Sequence, residues 1–192
     1  MTSLTKEFSM RSVIVPLAVG FEEIEAIAPI DVFRRAELDV TTVSVSGDQL
    51  VTGAHGITVA ADALFEELSL DGDFLIFLPG GMPGTLNLEV HEGLRGLIAQ
   101  QAGAGNTIAA ICAAPSILGK MGILKGKEAI CYPGFESYLH GAIVSTETVV
   151  QSGNVFTAKG PGVAVDFALK LVGALKSEEV ASQVAAGMIY NR

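Results

Sequence analysis

Short apolar runs alternate with longer segments of helical period along almost the whole chain, and this alternation leaves few architectures open. Residues 12–18, 40–45, 74–78 and 107–111 have strand length, and most of them lack a regular polar position. Helical periods cover 22–36, 94–101, 163–175 and 178–188, and a further helix starts beside Ala113. Strands that are apolar on both faces need helices on both, which is the signature of a parallel sheet between two helical layers. Residues 56–60 read as a short antiparallel addition, and 132–150 as a stretch of short strands and turns. There is no internal repeat, low-complexity run or linker, and 192 residues suit one domain. The expectation is an α/β fold, a flavodoxin-like three-layer sandwich with a mainly parallel central sheet, over residues 10–192. Residues 1–9 read as an N-terminal extension or as residues left from cloning ahead of a native start at Met10.

Charge narrows the partners. A formal net charge of −9 opposes binding to a phosphate backbone or an anionic membrane surface, so neither nucleic acid nor membrane is expected. The longest apolar stretch, 108–118, is short for a bilayer and broken by Pro115. Two cysteines are too few for a disulfide scaffold, and with three scattered histidines they match no zinc spacing. A cytoplasmic protein without a metal is expected.

In open α/β sheets ligands bind beyond the carboxyl ends of the strands. Three such ends carry residues with chemistry. The run 107–111 delivers Cys112 to a strand–helix turn, because Pro115 is tolerated only in a first helical turn. A thiol there faces unpaired N–H groups and the positive helix end, which can lower a cysteine pKa from ~8.5 into the ~3.5–7.5 range. The same pattern also suits an inert buried cysteine. Cys131 has no helix start behind it and reads as core. In the first helix, Glu25 falls inside the apolar stripe of Phe21, Ile24, Ala28 and Val32, while Glu22 and Glu23 need only complement the helix dipole. On that stripe a carboxyl is desolvated and its pKa rises, so that it can donate to a thiolate and shuttle a proton. A small rotation of the helix would instead leave it at the wet edge. In the third segment, Leu78-Pro79-Gly80-Gly81, glycines let bare N–H groups point at an oxygen, or simply make a tight turn. A dinucleotide fingerprint and a Walker A pattern are both missing.

These segments, with residues 20–25, 29–36, 109–115 and Lys159-Gly160-Pro161-Gly162 in register, resemble the ThiJ/PfpI superfamily from about Ser12 to Tyr190. Within it they are most similar to the protein deglycase branch, named for the human parkinsonism-associated protein. The resemblance implies Cys112 as nucleophile, Glu25 as its protonated partner, and the backbone N–H groups of Gly81 and Ala113 as an oxyanion-binding pair. It also implies a homodimer with the first helix and Arg35 near the interface. The implied activity is a cofactor-free glyoxalase or deglycase that converts methylglyoxal, glyoxal, or their early adducts on thiols and protein side chains to hydroxy acids through a hemithioacetal. A second class of function is a redox sensor or chaperone in oxidative stress that works through oxidation of Cys112. A peptidase is disfavoured, since Ala113 stands where protease-like relatives carry histidine. Tyr132, before Pro133, takes the place of a histidine found in several deglycase-branch members. His55, His91 and His140 are expected at the surface or in loops.

Overall fold

Apolar strands of this kind reach a low free energy only when both their faces are covered, and the chain provides that cover from both sides. The computed structural model describes residues 12–69 and 71–191. Its strands are β1 (Ser12–Leu17), β2 (Asp39–Ser44), β3 (Leu50–Thr52), β4 (Thr58–Ala60), β5 (Ala63–Leu64), β6 (Leu75–Leu78), β7 (Ile108–Ile111), β8 (Glu128–Ala129), β9 (Ile143–Val144), β10 (Val149–Ser152) and β11 (Val155–Ala158). The helices are α1 (Glu23–Arg35), α2 (Gly84–Val90), α3 (Glu92–Ala104), α4 (Pro115–Lys120), α5 (Ala164–Leu175) and α6 (Glu178–Gly187). Seven strands form the central sheet in the order β10-β11-β7-β6-β1-β2-β5. Only the edge pair β10–β11 is antiparallel; the other neighbours run parallel. This is the expected flavodoxin-like α/β sandwich.

Successive strand residues face opposite sides of the sheet. Val13, Val15, Phe77 and Ile111 pack on one side with Phe33 of α1, Phe167 of α5 and Val184 of α6. Ile14, Ile76, Leu78 and Ala110 pack on the other side with Leu94 and Ile98 of α3 and Ile117 of α4. Phe77 is the aromatic centre of the first layer, its ring 5.5 Å from that of Phe33 and 5.6 Å from that of Phe167.

Two elements differ from the sequence expectation. The segment around 56–60 is antiparallel, but β4 pairs with β3 as a separate ribbon outside the main sheet. The helix α2 was not anticipated. It has only seven residues and follows the glycine turn directly, so no period could develop. The extension expected at 1–9 lies outside the described residues. Among the described residues no helix is long and apolar enough to cross a membrane.

The sheet order positions the site. From β1 the chain first builds outward to β2, then returns to lay β6 on the other side of β1. The strand ends flanking that reversal are where open α/β sheets leave a crevice. Because β1, β6 and β7 are neighbours, the loop entering α1, the Gly80–Gly81 turn and Cys112 all emerge together.

The ring of Phe77 is fully buried between two helices and a strand layer. Phe77→Ala should therefore lower unfolding stability by about 3–5 kcal/mol, read from urea titration with an unchanged m-value.

Candidate active site

Cys112 sits one residue beyond β7 with φ of +64°, a left-handed conformation that a residue with a Cβ adopts at a cost of ~1–3 kcal/mol. Two backbone hydrogen bonds hold it there. Its N–H donates to the Ala158 carbonyl at 2.9 Å, and its carbonyl accepts the Tyr132 N–H at 2.8 Å. Ala114 then caps α4 and Pro115 opens it, as the missing proline N–H requires.

Glu25 is fully buried in the first turn of α1. Its backbone N–H donates to Glu22 Oε2 at 2.7 Å, so Glu22 acts as a side-chain N-cap. Pro29 continues the helix without an N–H, leaving the Glu25 carbonyl without the usual donor four residues on. The carboxyl reaches across to β6, where Oε2 accepts the Gly80 N–H at 2.9 Å. Oε1 is buried, with no hydrogen-bond partner among the described residues. The group lies against the Cys112 thiol, close enough for the two to share a proton.

Gly80 makes this approach feasible. A Cβ there would stand 2.7 Å from both Cys112 Cβ and Glu25 Oε2. Gly81 follows at φ of +90°, and its N–H, with that of Ala113, is directed at the Cys112 sulfur. The structure thus brings together all four residues singled out in the sequence: Cys112, Glu25, Gly81 and Ala113.

The electrostatics depart from expectation at the cysteine. Burial pushes Glu25 up to about 7, helped by the charge of Glu22 and opposed by the hydrogen bonds of Cys112 and Gly80. The carboxyl is buried as expected, but the buried face of α1 is made by Ala26, Pro29, Ile30, Val32 and Phe33, whereas Ile24, expected on that face, is exposed and Ala28 is half-buried. The Cys112 thiol, expected to be lowered, is instead pushed up to about 12. Burial is the largest cause, followed by the charge of Glu25 and its hydrogen bond. The Ala113 and Gly81 N–H groups act in the opposite direction and are outweighed. The helix behind Cys112 is only six residues long, too short to offer a large dipole against desolvation. Two negative charges cannot coexist here, so above about pH 7 the pair keeps one proton between its members.

Other residues fall into place around this pair. Glu23, assigned in the sequence only to the helix dipole, is buried and accepts His55 Nδ1 at 2.8 Å and the His55 backbone N–H at 2.7 Å. Burial alone would raise Glu23, but these hydrogen bonds together lower it, and the pairing raises His55 in turn. His55 is mainly exposed, as expected, yet it anchors the β3–β4 turn beside the site. Among the described residues, Glu22, Glu23 and His55 are the one trio with metal-ligand spacing, but His55 and backbone N–H groups already engage the carboxylates. His91 caps α3 through Leu94 N–H at 3.0 Å, and His140 is exposed. Cys131 is buried in the opposite core layer, its thiol pushed up to about 11 chiefly by burial. A cleft of about 420 Å³ lies at the far end of α1 among Arg35, Lys176 and Val184, and neither cysteine lines it.

A carboxyl whose pKa is raised on folding adds stability that is complete below its unfolded value and is lost as pH rises through its folded value. For Glu25 that window runs from 4.5 to about 7, a loss of roughly 3 kcal/mol at ~1.4 kcal/mol per pH unit. Urea midpoints at about pH 5 and about pH 8 should show this loss in the wild type. Glu25→Gln should lack this contribution.

Comparison with known proteins agrees with the geometry. The model of the DJ-1/PfpI family matches residues 11–174. Protein DJ-1 homolog B of Arabidopsis thaliana is 37% identical over 189 residues, which is 97% of this chain; the chain spans only 43% of that relative. The glutathione-independent glyoxalase DJR-1.2 of Caenorhabditis elegans is 33% identical over 159 residues, covering 82% of this chain and 84% of that protein. Among solved structures, oxidized Toxoplasma gondii DJ-1 superposes with a TM-score of 0.91 at 35% identity, covering 94% of this chain and 99% of its own. With the strand–helix cysteine, the buried glutamate and the glycine turn of one continuous sheet edge, this chain belongs to the DJ-1/PfpI family.

Proposed function

We propose that the protein is a cofactor-free, cysteine-dependent glyoxalase or deglycase acting on 2-oxoaldehydes and their early adducts with thiols and protein side chains. The observation that carries this reading is the contact between the Cys112 thiol and the buried Glu25 carboxyl, beside two N–H groups directed at the sulfur. The family membership and the nematode glyoxalase relative support it.

Passing that proton from thiol to carboxylate creates the thiolate and the carboxylic acid together. The thiolate attacks the aldehyde carbon of methylglyoxal, and the new alkoxide is steadied by the Gly81 and Ala113 N–H groups before Glu25 protonates it. Glu25, now ionised, removes the hydrogen on the former aldehyde carbon. The electron pair moves to the adjacent carbonyl, the hydroxyl proton passes from the former aldehyde oxygen to that neighbouring oxygen, and Glu25 returns the abstracted proton at the second carbon. The product is a lactoyl thioester on Cys112, formed with no external oxidant because one carbon is oxidised as its neighbour is reduced. Water then cleaves the thioester to give lactate and the free thiol. Glu25 Oε1, without a partner among the described residues, suits the travelling proton, because a buried acceptor without a donor gains a hydrogen bond from it.

The exposed Ile24 and Ile27 on α1 suit a homodimer built through that helix, and the two unpaired cysteines suit a reducing cytoplasm. In amine-free and thiol-free buffer, lactate formation from methylglyoxal should fall to background in Cys112→Ser. Glu25→Gln should lose about 10²- to 10⁴-fold in kcat. Lactate from the serine variant at the wild-type rate would end this reading.

A second reading is oxidation of Cys112 as a stress signal, with or without a chaperone role. The same N–H pair favours oxygen on the sulfur, and the Toxoplasma relative is described in an oxidized form. Intact mass after mild peroxide should then show two added oxygens at Cys112 and none at Cys131.

A further inference from the structure

A groove of about 310 Å³ lies between the Tyr132–Pro133 and Lys159–Val163 loops, at the lower end of the size range of small-molecule sites. Its side chains are those of Tyr132, Pro133, Lys159, Pro161 and Val163. Both of its walls are tied to the peptide of the nucleophile. Tyr132 N–H donates to the Cys112 carbonyl, and Cys112 N–H donates to Ala158, the residue before Lys159. The Tyr132 ring lies against the backbone at Gly160, where an added Cβ would come within 3.3 Å of it. That contact holds an aromatic face at the groove while leaving 47% of the residue exposed.

The polar groups at the sulfur are all accounted for. Gly81 and Ala113 take the oxygen of a carbonyl adduct, and Glu25 takes its proton. The substituent on the second carbon has none of these to bind, and the groove offers it proline, valine, the lysine stem and a tyrosine ring. No acidic side chain lines it. A methyl group fills little of such a space, whereas a planar apolar ring can stack on Tyr132.

Resting on the aldehyde reading above, we propose that this groove is a substituent pocket in which Tyr132 determines specificity, selecting aryl-substituted 2-oxoaldehydes over methylglyoxal. Tyr132 selects through packing and takes no part in proton transfer.

Two readouts test this. The first is kcat/KM for phenylglyoxal and methylglyoxal in the wild type, in Tyr132→Ala and in Val163→Trp, which fills the groove. The second needs no turnover: the rate of Cys112 alkylation by N-phenyliodoacetamide relative to iodoacetamide, followed by intact mass and normalised to glutathione. The wild type should favour the aryl reagent by about threefold to tenfold, the scale of one aromatic pair. Either substitution should bring the alkylation ratio towards one and lower the phenylglyoxal-to-methylglyoxal ratio, chiefly through KM for phenylglyoxal. A wild-type alkylation ratio of one, or ratios that neither substitution changes, would overturn the proposal. If neither aldehyde is turned over while the alkylation ratio still responds to Tyr132→Ala, the pocket stands and the glyoxalase reading fails.

Discussion

The burial of two acids against each other is the constraint on which the rest of the site depends. Glu25 and Cys112 are both removed from water, and the low local dielectric makes a second negative charge between them far more costly than a first. Burial raises each group and their mutual repulsion raises the thiol further, so the pair behaves as a unit that comes down to one proton only above about pH 7. A thiolate is then created only by handing its proton to the neighbouring carboxylate. The N–H groups of Gly81 and Ala113 are the counterweight that keeps this transfer within reach.

The fold supplies this pair by bringing three strand ends together. β1 sends the chain into the α1 cap, β6 ends in two glycines, and β7 ends at Cys112 with its backbone turned left-handed. Strain at Cys112 is held in place by its hydrogen bonds to β11 on one side and Tyr132 on the other. Gly80 has a more specific role than flexibility. It is the gap through which carboxyl and thiol meet, because any side chain there would occupy the space between them.

Around this centre lie groups of different function. Glu22 caps α1 and also raises Glu25 by its charge, so one residue bears on both the position and the acidity of the buried carboxyl. Glu23 and His55 fasten the β3–β4 ribbon to the same helix start. Tyr132 meets Cys112 through its backbone and presents its ring to the apolar groove.

Much of this was legible in the sequence. The apolar strands, the periodic helices and the first-turn Pro115 set the sheet and placed Cys112 at its edge, because these are local rules of sterics and patterning. Glu25 stood out because a carboxyl on an apolar stripe breaks such a rule. The helix α2 escaped notice because seven residues after a glycine turn carry no period. The partners of Glu22 and Glu23 escaped notice as well, since first-turn acids look alike until the loop that meets them is placed. The acidity of Cys112 was beyond reach for the same kind of reason. Sequence determined which residues arrive at the sheet edge, because turn and strand chemistry are written in neighbouring residues. Only the tertiary structure decided their charge, because desolvation and the contact with Glu25 arise between segments 87 residues apart in the chain.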